Sequence, residues 1–372
     1  MSGPVVITGG GTGGHVFPMQ AVADALRDAG LTSSELRFVG SRRGQERQLL
    51  ANTSVALTLL PGRGVRRSWR ARDVVANVGA VAGLVSALAL AIVLVRRWRP
   101  SVVVSVGGYA SFAVSVAAMC WRTPLVLVEL DAAPGAAQRV VANYARKRCC
   151  AFPVKGENVV VTGAPLRTAI ENVDRSKVAR DDAKAARTPP IDAERKVVVV
   201  MTGSLGSTRV NRAVRDLAVE WSTRADRAII HVTGHRDFDE MSTRVLPSDG
   251  LDYRVVAFGE MAELWTLCDV AICRAGAVTV AELTVLSIPS VLVPLPGAPG
   301  DHQTKNAEAV VNVGGAQLLR DADCTGAALA GLLDTMMDPM TLASMERGAG
   351  TLARRDAARA IATVILDVRV SS

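Results

Sequence analysis

Short apolar runs alternate with longer stretches of helical periodicity along the whole chain. The first half contains the runs Val5–Thr8, Leu36–Ser41, Val55–Gly62, Ser101–Gly108, Thr123–Asp131 and Cys149–Pro153. The second half continues with Val197–Met201, Arg227–Gly234, Tyr253–Gly259, Val270–Gly276 and Ser290–Pro296. Runs of this length, alternating with helices, are typical of buried parallel strands. The pattern therefore predicts an α/β protein built from parallel βαβ units.

A polar, charge-dense segment, Glu171–Lys196, divides the chain into two similar halves. Each half opens with a strand, a glycine loop and a helix, which predicts two Rossmann-like domains with parallel sheets. We predict an N-terminal domain over residues 1–165, a linker over 166–196, a C-terminal domain over 197–345, and a last helix within 346–372 that packs back on the N-terminal domain. Ligands of open α/β sheets bind at the carboxyl ends of the strands, so we expect both glycine loops to face a shared cleft.

The first glycine loop connects the Val5–Thr8 strand to a helix, with Pro18 near the helix start. Its glycines permit positive φ angles and let backbone N–H groups approach a ligand, and the positive end of the helix points to the same place. The unit suits a phosphate or a sugar phosphate, although a tight strand-to-helix turn uses the same residues. The loop also fits the G-x-G-x-x-G pattern of nicotinamide-binding proteins through Gly9, Gly11 and Gly14.

A nicotinamide site normally has an acidic residue at the end of the second strand to hold the ribose. That strand ends here in Gly40-Ser41-Arg42-Arg43, which suits only a 2′-phosphate. An NADP-dependent reductase is therefore an open alternative. It leaves the second glycine loop, with Gly203 and Gly206, without a role.

Two motifs in the second half favour a nucleotide sugar instead. In RAGAVTVAEL (Arg274–Leu283), backbone N–H groups at the helix start suit a diphosphate, and Glu282 is placed to accept hydrogen bonds from ribose hydroxyls. In PGDHQTKNA (Pro299–Ala307), His302, Gln303 and Asn306 supply the amide and imidazole groups that bind sugar hydroxyls.

Net charge and one apolar segment predict a membrane-associated protein. The net charge is +8, and the basic stretches Pro61–Arg72 and Arg96–Pro100 flank Val78–Val95, which is 18 residues long and uncharged. The strand after this segment has to rejoin the first sheet, which argues against a helix that crosses the bilayer. No nucleic-acid-binding module is present, so we expect an anionic membrane surface as partner and no nucleic acid. The predicted location is the cytoplasmic face of the cell membrane, as a peripheral protein.

Several motifs resemble those of the MurG family of glycosyltransferases almost from end to end. They are GGGTGGHVFP, GGYASF (Gly107–Phe112), ELDAAPGAAQR (Glu129–Arg139), GAPLR (Gly163–Arg167), GSLGSTRVN (Gly203–Asn211), CRAGAVTVAEL and DHQTKNA. The resemblance implies a GT-B fold and transfer of N-acetylglucosamine from UDP-N-acetylglucosamine to lipid I, the undecaprenyl-diphosphate-linked acceptor of peptidoglycan synthesis. It implies no cofactor. The donor is expected on the C-terminal domain and the acceptor on the N-terminal domain.

The resemblance also assigns roles to individual residues. His15 takes the catalytic position, and Glu282 binds the ribose. The uracil is expected to contact the backbone at Gly259, and the donor phosphate to contact Ser204. The remaining substrate-binding residues are Thr12, Gly13 and Gly14, which line the cleft on the acceptor domain, Asp131, Arg167 near the nucleotide sugar, Ala277, Val278, Thr279, Val280 and Ala281 at the diphosphate, and His302 with Gln303 at the sugar.

The chain departs from the family pattern where hydrogen-bonding groups are expected. The usual HEQN is Val128-Glu129-Leu130-Asp131, GNPVR has Ala164, and GSQGA has Leu205. Asp131 is thus a second candidate for the catalytic base, and a paralogue with a different polyprenyl-linked or small-molecule acceptor is an alternative function. The expected reaction is a single inverting displacement without a metal, because the two D-x-D motifs, at Asp237 and Asp321, are expected on the surface away from the glycine loops.

Overall fold

The computed structural model describes residues 3–62, 71–203, 206–243 and 250–370 of the chain. The described residues form two compact units. The first consists of Met1–Arg167 together with Asp356–Ser372, and the second of Thr168–Arg355. Each unit is an α/β layer structure with a parallel sheet of its own.

The first unit contains a seven-stranded sheet in which every adjacent pair of strands is parallel. Along the chain its elements are β1 (Val5–Thr8), α1 (Gly13–Asp28), β2 (Leu36–Ser41), α2 (Glu46–Leu49), β3 (Ala56–Leu60), α3 (Ala71–Trp98), β4 (Val102–Ser105), α4 (Tyr109–Cys120), β5 (Leu125–Glu129), α5 (Ala136–Val141), β6 (Lys147–Cys150) and β7 (Val159–Val161). The strands lie in the order β3-β2-β1-β4-β5-β6-β7.

The second unit contains a six-stranded parallel sheet in the order β10-β9-β8-β11-β12-β13. Its elements are α6 (Thr168–Glu171), α7 (Lys177–Ala185), β8 (Lys196–Met201), α8 (Thr208–Glu220), β9 (Arg227–Val232), α9 (Phe238–Ser242), β10 (Asp252–Val256), α10 (Met261–Leu267), β11 (Val270–Cys273), α11 (Ala277–Val285), β12 (Ser290–Leu292), α12 (His302–Val311), β13 (Ala316–Leu318), α13 (Gly326–Met336) and α14 (Pro339–Gly350).

The central strands of both sheets are buried on both faces. In the first unit, β1 and β4 are fully buried, and in the second unit β8 and β11 are buried apart from the ends of β8. Their valines and isoleucines favour extended backbone and fill the space under the helices. The alternation of apolar runs thus has the physical origin that the sequence predicts, a strand covered by helices on both sides.

The last helix, α15 (Ala357–Val370), belongs to the first unit. It packs against α1 and contacts β4, β5 and β6. Ile361 and Ile365 are fully buried, and Arg369 donates to Glu35 at 2.9 Å. The chain therefore returns to its first unit after completing the second.

Helix α3 is long, apolar and only partly covered. Ala87, Ala91 and Val95, spaced four residues apart, are buried against the small residues of α4. Val85 and Val93 are 61% and 59% exposed. Among the described residues, the window Val81–Trp98 is the one helical segment long and apolar enough to span a membrane, and 17% of that window is buried. The segment therefore combines a packed edge with an exposed apolar surface.

Helix α1 begins earlier than the sequence predicts. It starts at Gly13 with Thr12 as its N-cap, so Pro18 lies inside the helix rather than near its start. A proline at this position has no N–H to donate to the Gly14 carbonyl. The glycine loop is correspondingly shorter, and His15 lies within the first helical turn.

Candidate active site

The carboxyl ends of β1 and β4 form the point in the first sheet where the strand order reverses. β2 lies on one side of β1 and β4 on the other. The Val106 N–H donates to the Thr8 carbonyl at 2.8 Å, which joins the loops after the two strands. Open α/β sheets bind their ligands at such a point. The glycine loop leading to His15 and the Gly107–Gly108 turn both begin there.

Glu46 of α2 and the N-cap residue of that helix, Gln45, hold the first glycine loop. Oε1 of Glu46 accepts hydrogen bonds from the N–H of Gly11 at 3.0 Å and of Ser41 at 2.7 Å, and Glu46 is fully buried. Oε1 of Gln45 accepts from the N–H of Gly13 at 3.0 Å. Two of the loop N–H groups therefore bind side chains of the protein. The sequence offered little signal for this pair, because a glutamate in a charged segment is ordinarily exposed.

His15 packs against a glycine from the neighbouring loop. Gly107 has φ +105°, and a Cβ at this position would lie 3.1 Å from Cδ2 and 3.2 Å from Nε2 of His15. The absence of a side chain there gives the imidazole its place at the end of β4. Thr12, Gly13 and Gly14 form the N-cap and first turn of the same helix, so the structure brings these predicted acceptor residues together with His15.

Asp131 follows β5, the strand next to β4, and therefore lies at the same edge of the sheet. The residues that differ from the family pattern at Val128, Leu130 and Ala164 are buried. Val128, Leu130 and Ala164 are 0%, 5% and 4% exposed, and the side-chain amide of Gln138 donates to the Val128 carbonyl at 3.0 Å. Apolar side chains thus occupy these positions in the core, where a polar group would need a partner.

Glu129, the one residue of the family tetrad that this chain keeps, is engaged by an arginine. Nε and Nη2 of Arg148 both donate to its carboxylate at 2.9 Å, and Glu129 is buried. This bidentate pair compensates the buried charge and secures the end of β5 to β6. Glu129 therefore supports the loop that carries Asp131.

Arg167 lies beside helix α1. Its guanidinium stacks on the ring of Phe17, 4.4 Å from the ring centroid. The same ring lies close to Gly13, where a Cβ would approach Phe17 Cε2 to 3.1 Å. The residue predicted to bind the nucleotide sugar is thus positioned by the helix that follows the first glycine loop.

A buried polar network supports the second glycine loop. Nδ2 of Asn211 donates to the Thr233 carbonyl at 2.9 Å and to Asp237 at 3.0 Å, so its Oδ1 accepts from Nε2–H of His231 at 3.1 Å. Nδ1 of His231 then accepts from the hydroxyl of Tyr253 at 2.8 Å. Burial lowers the pKa of His231 to about 3, so the imidazole is neutral. Of the predicted site residues, Ser204 lies outside the described part of the chain, as does Leu205.

Arg274 connects three segments at the carboxyl edge of the second sheet. Its guanidinium donates to the Ser207 hydroxyl at 2.6 Å, to the Val293 carbonyl at 3.0 Å and to the Pro294 carbonyl at 3.1 Å. It also pairs with Asp321 at 2.7 Å. The loops after β8, β11 and β12 are thereby held together where the strand order of this sheet reverses.

The start of α11 presents backbone donors next to this edge. Gly276 is the N-cap, and the Val280 N–H donates to its carbonyl at 2.9 Å. The N–H groups of Ala277, Val278 and Thr279 precede that first helical bond and lie at the positive end of the helix. Five residues, from Ala277 to Ala281, were predicted to contact the diphosphate. Ala277, Val278 and Thr279 have N–H groups at the open start of the helix, whereas Val280 and Ala281 lie further into it.

Glu282 is 6% exposed, and its Oε2 accepts a hydrogen bond from the indole Nε1–H of Trp265 at 2.9 Å. Its position one turn into α11 agrees with the sequence. The tryptophan partner lies on α10, and no sequence pattern connects the two positions.

Helix α12 provides the two predicted sugar-binding side chains. Nδ1 of His302 lies 2.8 Å from the Pro299 carbonyl, which can only accept, so Nδ1 carries a proton and Nε2 does not take part in this contact. Oε1 of Gln303 accepts from the Leu295 N–H at 2.9 Å, which directs its amide nitrogen away from that contact. Asn306 is fully buried and donates to the Ala275 carbonyl at 3.1 Å, so it fastens α12 to the loop before α11.

The segment before α10 carries the predicted uracil contact. Gly259 packs on Leu264, since a Cβ at Gly259 would lie 2.7 Å from Leu264 Cδ1. The preceding residue, Phe258, is 67% exposed. An exposed aromatic ring next to this backbone is a candidate stacking surface that the sequence analysis missed.

The D-x-D motifs do not lie where the sequence predicts. Asp237 is 5% exposed and accepts from the hydroxyl of Thr208, directly after the second glycine loop, at 3.0 Å. Asp321 pairs with Arg274, as described above. The expectation that both aspartates lie away from the glycine loops is therefore wrong. Arg236 neutralises Asp237 at 2.8 Å, and the described residues contain no group of three side chains suited to a metal ion.

Comparisons with known proteins agree with this architecture. The glycosyltransferase family 28 N-terminal domain matches residues 5–149, and the glycosyltransferase family 28 C-terminal domain matches residues 197–361. A relative from Alkalilimnicola ehrlichii, named UDP-N-acetylglucosamine–N-acetylmuramyl-(pentapeptide) pyrophosphoryl-undecaprenol N-acetylglucosamine transferase, is 36% identical over 99% of this chain and 99% of its own length. A relative with the same name from Salinibacter ruber is 34% identical over 97% and 96% of the two chains.

A solved structure shows the fold. The crystal structure of Acinetobacter baumannii MurG matches with a TM-score of 0.76 at 24% identity, over 98% of this chain and 99% of that one. The predicted GT-B fold with two Rossmann-like domains is confirmed, and the NADP-dependent reductase is no longer an alternative. The chain therefore belongs to glycosyltransferase family 28 and, within it, to the MurG family of N-acetylglucosamine transferases.

Proposed function

We propose that this protein transfers N-acetylglucosamine from UDP-N-acetylglucosamine to the muramyl sugar of lipid I, which forms lipid II. The observation that carries the proposal is a set of groups in the second unit that suits a nucleotide-sugar donor. Backbone N–H groups at the start of α11 and the Glu282 carboxylate stand one helical turn apart, at the reversal point of the sheet. A diphosphate followed by a ribose needs this order of groups.

The second unit binds the donor in this proposal. The N–H groups of Ala277, Val278 and Thr279 hold the diphosphate and stabilise the charge that develops on UDP as it leaves. Glu282 accepts from the ribose hydroxyls, and Gln303 with His302 contacts the sugar. Gly259 contacts uracil through its backbone, and Phe258 offers a ring beside the base.

The first unit binds the acceptor and supplies the base. An acceptor hydroxyl attacks the anomeric carbon of the donor sugar, the bond from that carbon to the UDP oxygen breaks, and UDP leaves with the electron pair. His15 takes the hydroxyl proton, and the configuration at the anomeric carbon inverts. Thr12, Gly13 and Gly14 lie in the same turn and contact the acceptor, while Asp131 is the rival base.

Peripheral binding to an anionic membrane completes the proposal, because the acceptor is lipid-linked. Helix α3 exposes Val81, Val85 and Val93, and its end carries Arg96 and Arg97. Apolar side chains beside arginines suit the boundary between headgroups and acyl chains. Residues 63–70 of the predicted basic stretch Pro61–Arg72 lie outside the described residues, so the contribution of the stretch is a prediction from sequence.

Transfer of labelled N-acetylglucosamine from the UDP donor tests the function directly. We expect transfer to lipid I, with slower transfer to polyprenyl diphosphates that carry a different sugar. Faster transfer to another polyprenyl-linked sugar would assign the chain to a different acceptor, in line with the substitutions at Val128, Leu130 and Ala164. No transfer from the UDP donor to any of these acceptors would overturn the proposal.

A further inference from the structure

Trp265 and Glu282 form a buried pair in the second unit. The tryptophan is fully buried on α10, and its Nε1–H donates to Oε2 of Glu282 at 2.9 Å. The glutamate, on α11, is 6% exposed, so most of its side chain is buried as well. A neutral indole therefore contacts one oxygen of a largely buried carboxylate.

The choice of an indole as the donor has a chemical consequence. An arginine in this position would neutralise the carboxylate and could bind both of its oxygens. Indole has a single N–H and no charge, so it binds one oxygen and brings no positive charge to the carboxylate. A carboxylate held in this way keeps its strength as an acceptor for hydroxyl groups, since hydrogen bonds to charged groups are the stronger ones.

Trp265 is itself firmly held. Nη1 of Arg175 donates to the carbonyls of Trp265 and Cys268, each at 2.7 Å, and these contacts anchor the end of α10. At the other end of the helix, Gly259 packs against Leu264. The same short helix therefore joins the backbone segment expected at uracil to the indole that contacts Glu282.

We infer that Trp265 is a positioning residue that orients the Glu282 carboxylate toward the ribose hydroxyls of the donor. The inference deepens the proposed function and rests on it. Trp265 acts through Glu282, and its indole has no need to touch the nucleotide. Loss of the Nε1–H lets the carboxylate rotate, so recognition of the ribose hydroxyls weakens while the diphosphate contacts at α11 persist.

The test compares binding of UDP and 2′-deoxy-UDP to the full-length protein by calorimetry. Wild type is expected to bind UDP at least tenfold more tightly than 2′-deoxy-UDP, because the deoxy compound leaves an acceptor without its hydroxyl. Trp265→Phe removes the N–H and keeps an aromatic ring. We expect it to weaken UDP binding about tenfold and 2′-deoxy-UDP binding, which keeps only the 3′-hydroxyl contact, by clearly less, so that the discrimination between the two is reduced.

Two comparisons separate a positioning role from a general packing role. Trp221→Phe is the matched control, because Trp221 is a buried tryptophan of the same unit that packs in its core and stacks against Arg227. This control is expected to retain full discrimination at a similar loss of thermal stability. In a Glu282→Ala background, Trp265→Phe should change UDP binding no further, because the carboxylate that it orients is gone.

The possible outcomes are distinct. If Glu282→Ala leaves UDP binding unchanged, the proposed ribose contact is wrong, and the inference falls with it. If Glu282→Ala weakens UDP binding and Trp265→Phe retains the discrimination, the inference alone is overturned. Should Trp265→Phe fail to fold, benzothienylalanine at position 265 replaces the N–H by sulfur within a ring of the same shape, and the same binding comparison decides.

Discussion

The Glu46 carboxylate accepts the N–H of Gly11 at 3.0 Å from within the protein core. The same oxygen also accepts the N–H of Ser41, so one side chain connects the glycine loop after β1 to the end of β2. Space for it comes from glycines, since a Cβ at Gly10 would lie 1.8 Å from Oε1 and a Cβ at Gly44 1.8 Å from Oε2. Gly10 of the first loop and Gly44 after β2 thus leave room for the buried carboxylate.

Two neighbouring glycines in this loop are expected to differ in their tolerance of alanine. Gly10 and Gly11 have φ +130° and +104°, so alanine is strained at both. Only Gly10 faces Glu46, whereas a Cβ at Gly11 meets nothing within 4 Å. Gly10→Ala displaces the carboxylate from its N–H donors and should destabilise the protein by about 2 kcal/mol more than Gly11→Ala. Urea unfolding measures the difference in the free energy of unfolding. Equal losses of stability in the two variants would contradict a role of Glu46 in holding the glycine loop.

His15→Ala is expected to lower kcat by about 10²–10⁴-fold, the usual contribution of a general base. Asp131→Ala should lower it by less than about tenfold, because in this assignment it only contacts the acceptor. Steady-state kinetics with lipid I and the UDP donor check both variants, and unchanged melting temperatures serve as the control. The reverse order of effects would make Asp131 the base.

Stability is expected to fall below pH 6.5 because of His231. The pKa of this buried imidazole is about 3 in the folded protein, against an ordinary value of 6.5. The unfolded chain therefore takes up a proton between these values that the folded protein does not, and unfolding becomes easier as the pH falls. One such proton changes the free energy of unfolding by about 1.4 kcal/mol per pH unit.

Urea unfolding of wild type and His231→Gln at pH 7, 6 and 5 tests this assignment. The variant should be less stable at pH 7, since its network with Asn211 and Tyr253 is altered, but its stability should depend less on pH. His235→Gln is the control, because His235 lies nearby and is exposed. Identical pH slopes in wild type and His231→Gln would contradict the prediction.

Glutamate on the exposed face of α3 should release the protein from vesicles. Val85→Glu and Val93→Glu each place a charge where an exposed valine is expected to enter the lipid, and each should weaken binding about tenfold. Val178→Glu is the matched control, since Val178 is 70% exposed on α7 of the second unit. Sedimentation with anionic vesicles at low and high salt gives the readout. Equal binding by all variants, or undiminished binding to neutral vesicles at high salt, would argue against this surface.

Transfer activity should survive EDTA. The first aspartates of both D-x-D motifs are paired with arginines, and the leaving UDP has the α11 N–H groups to stabilise its charge. Initial rates before and after dialysis against EDTA check this. A complete loss that manganese restores would show that a metal ion takes part.

Most strands were predictable because they are short apolar runs, several of them followed closely by a glycine or a proline, but the short edge strands β7 and β13 were not predicted. β2 spans Leu36–Ser41, as the sequence predicts, and β1 ends at Thr8 before the glycine loop. Helix starts were less predictable. Pro18 suggested the beginning of α1, but tertiary contacts extend the helix back to Gly13, where Gln45 accepts the N–H.

Side-chain contacts between residues from distant segments could not be predicted from the sequence. Glu46 and Trp265 were missed because their meaning depends on burial next to Gly11 and Glu282, which no local pattern encodes. The polar segment Glu171–Lys196 was predicted to lie in a linker, and in the structure it contains α7, whose Arg180 is paired with the buried Asp269. Charged residues of this kind cannot be told from solvated ones until their partners are known.

The position of α15 has a consequence for biosynthesis. The second unit is inserted into the first, so every residue of the second unit is translated before α15. Ile361 and Ile365, fully buried in the first unit, are translated only after the whole of the second unit. The second unit can complete its core during translation, whereas the unit that carries His15 keeps part of its sheet uncovered until α15 has been translated. Truncation before Ala357 would therefore damage the first unit, although most of its residues lie far upstream.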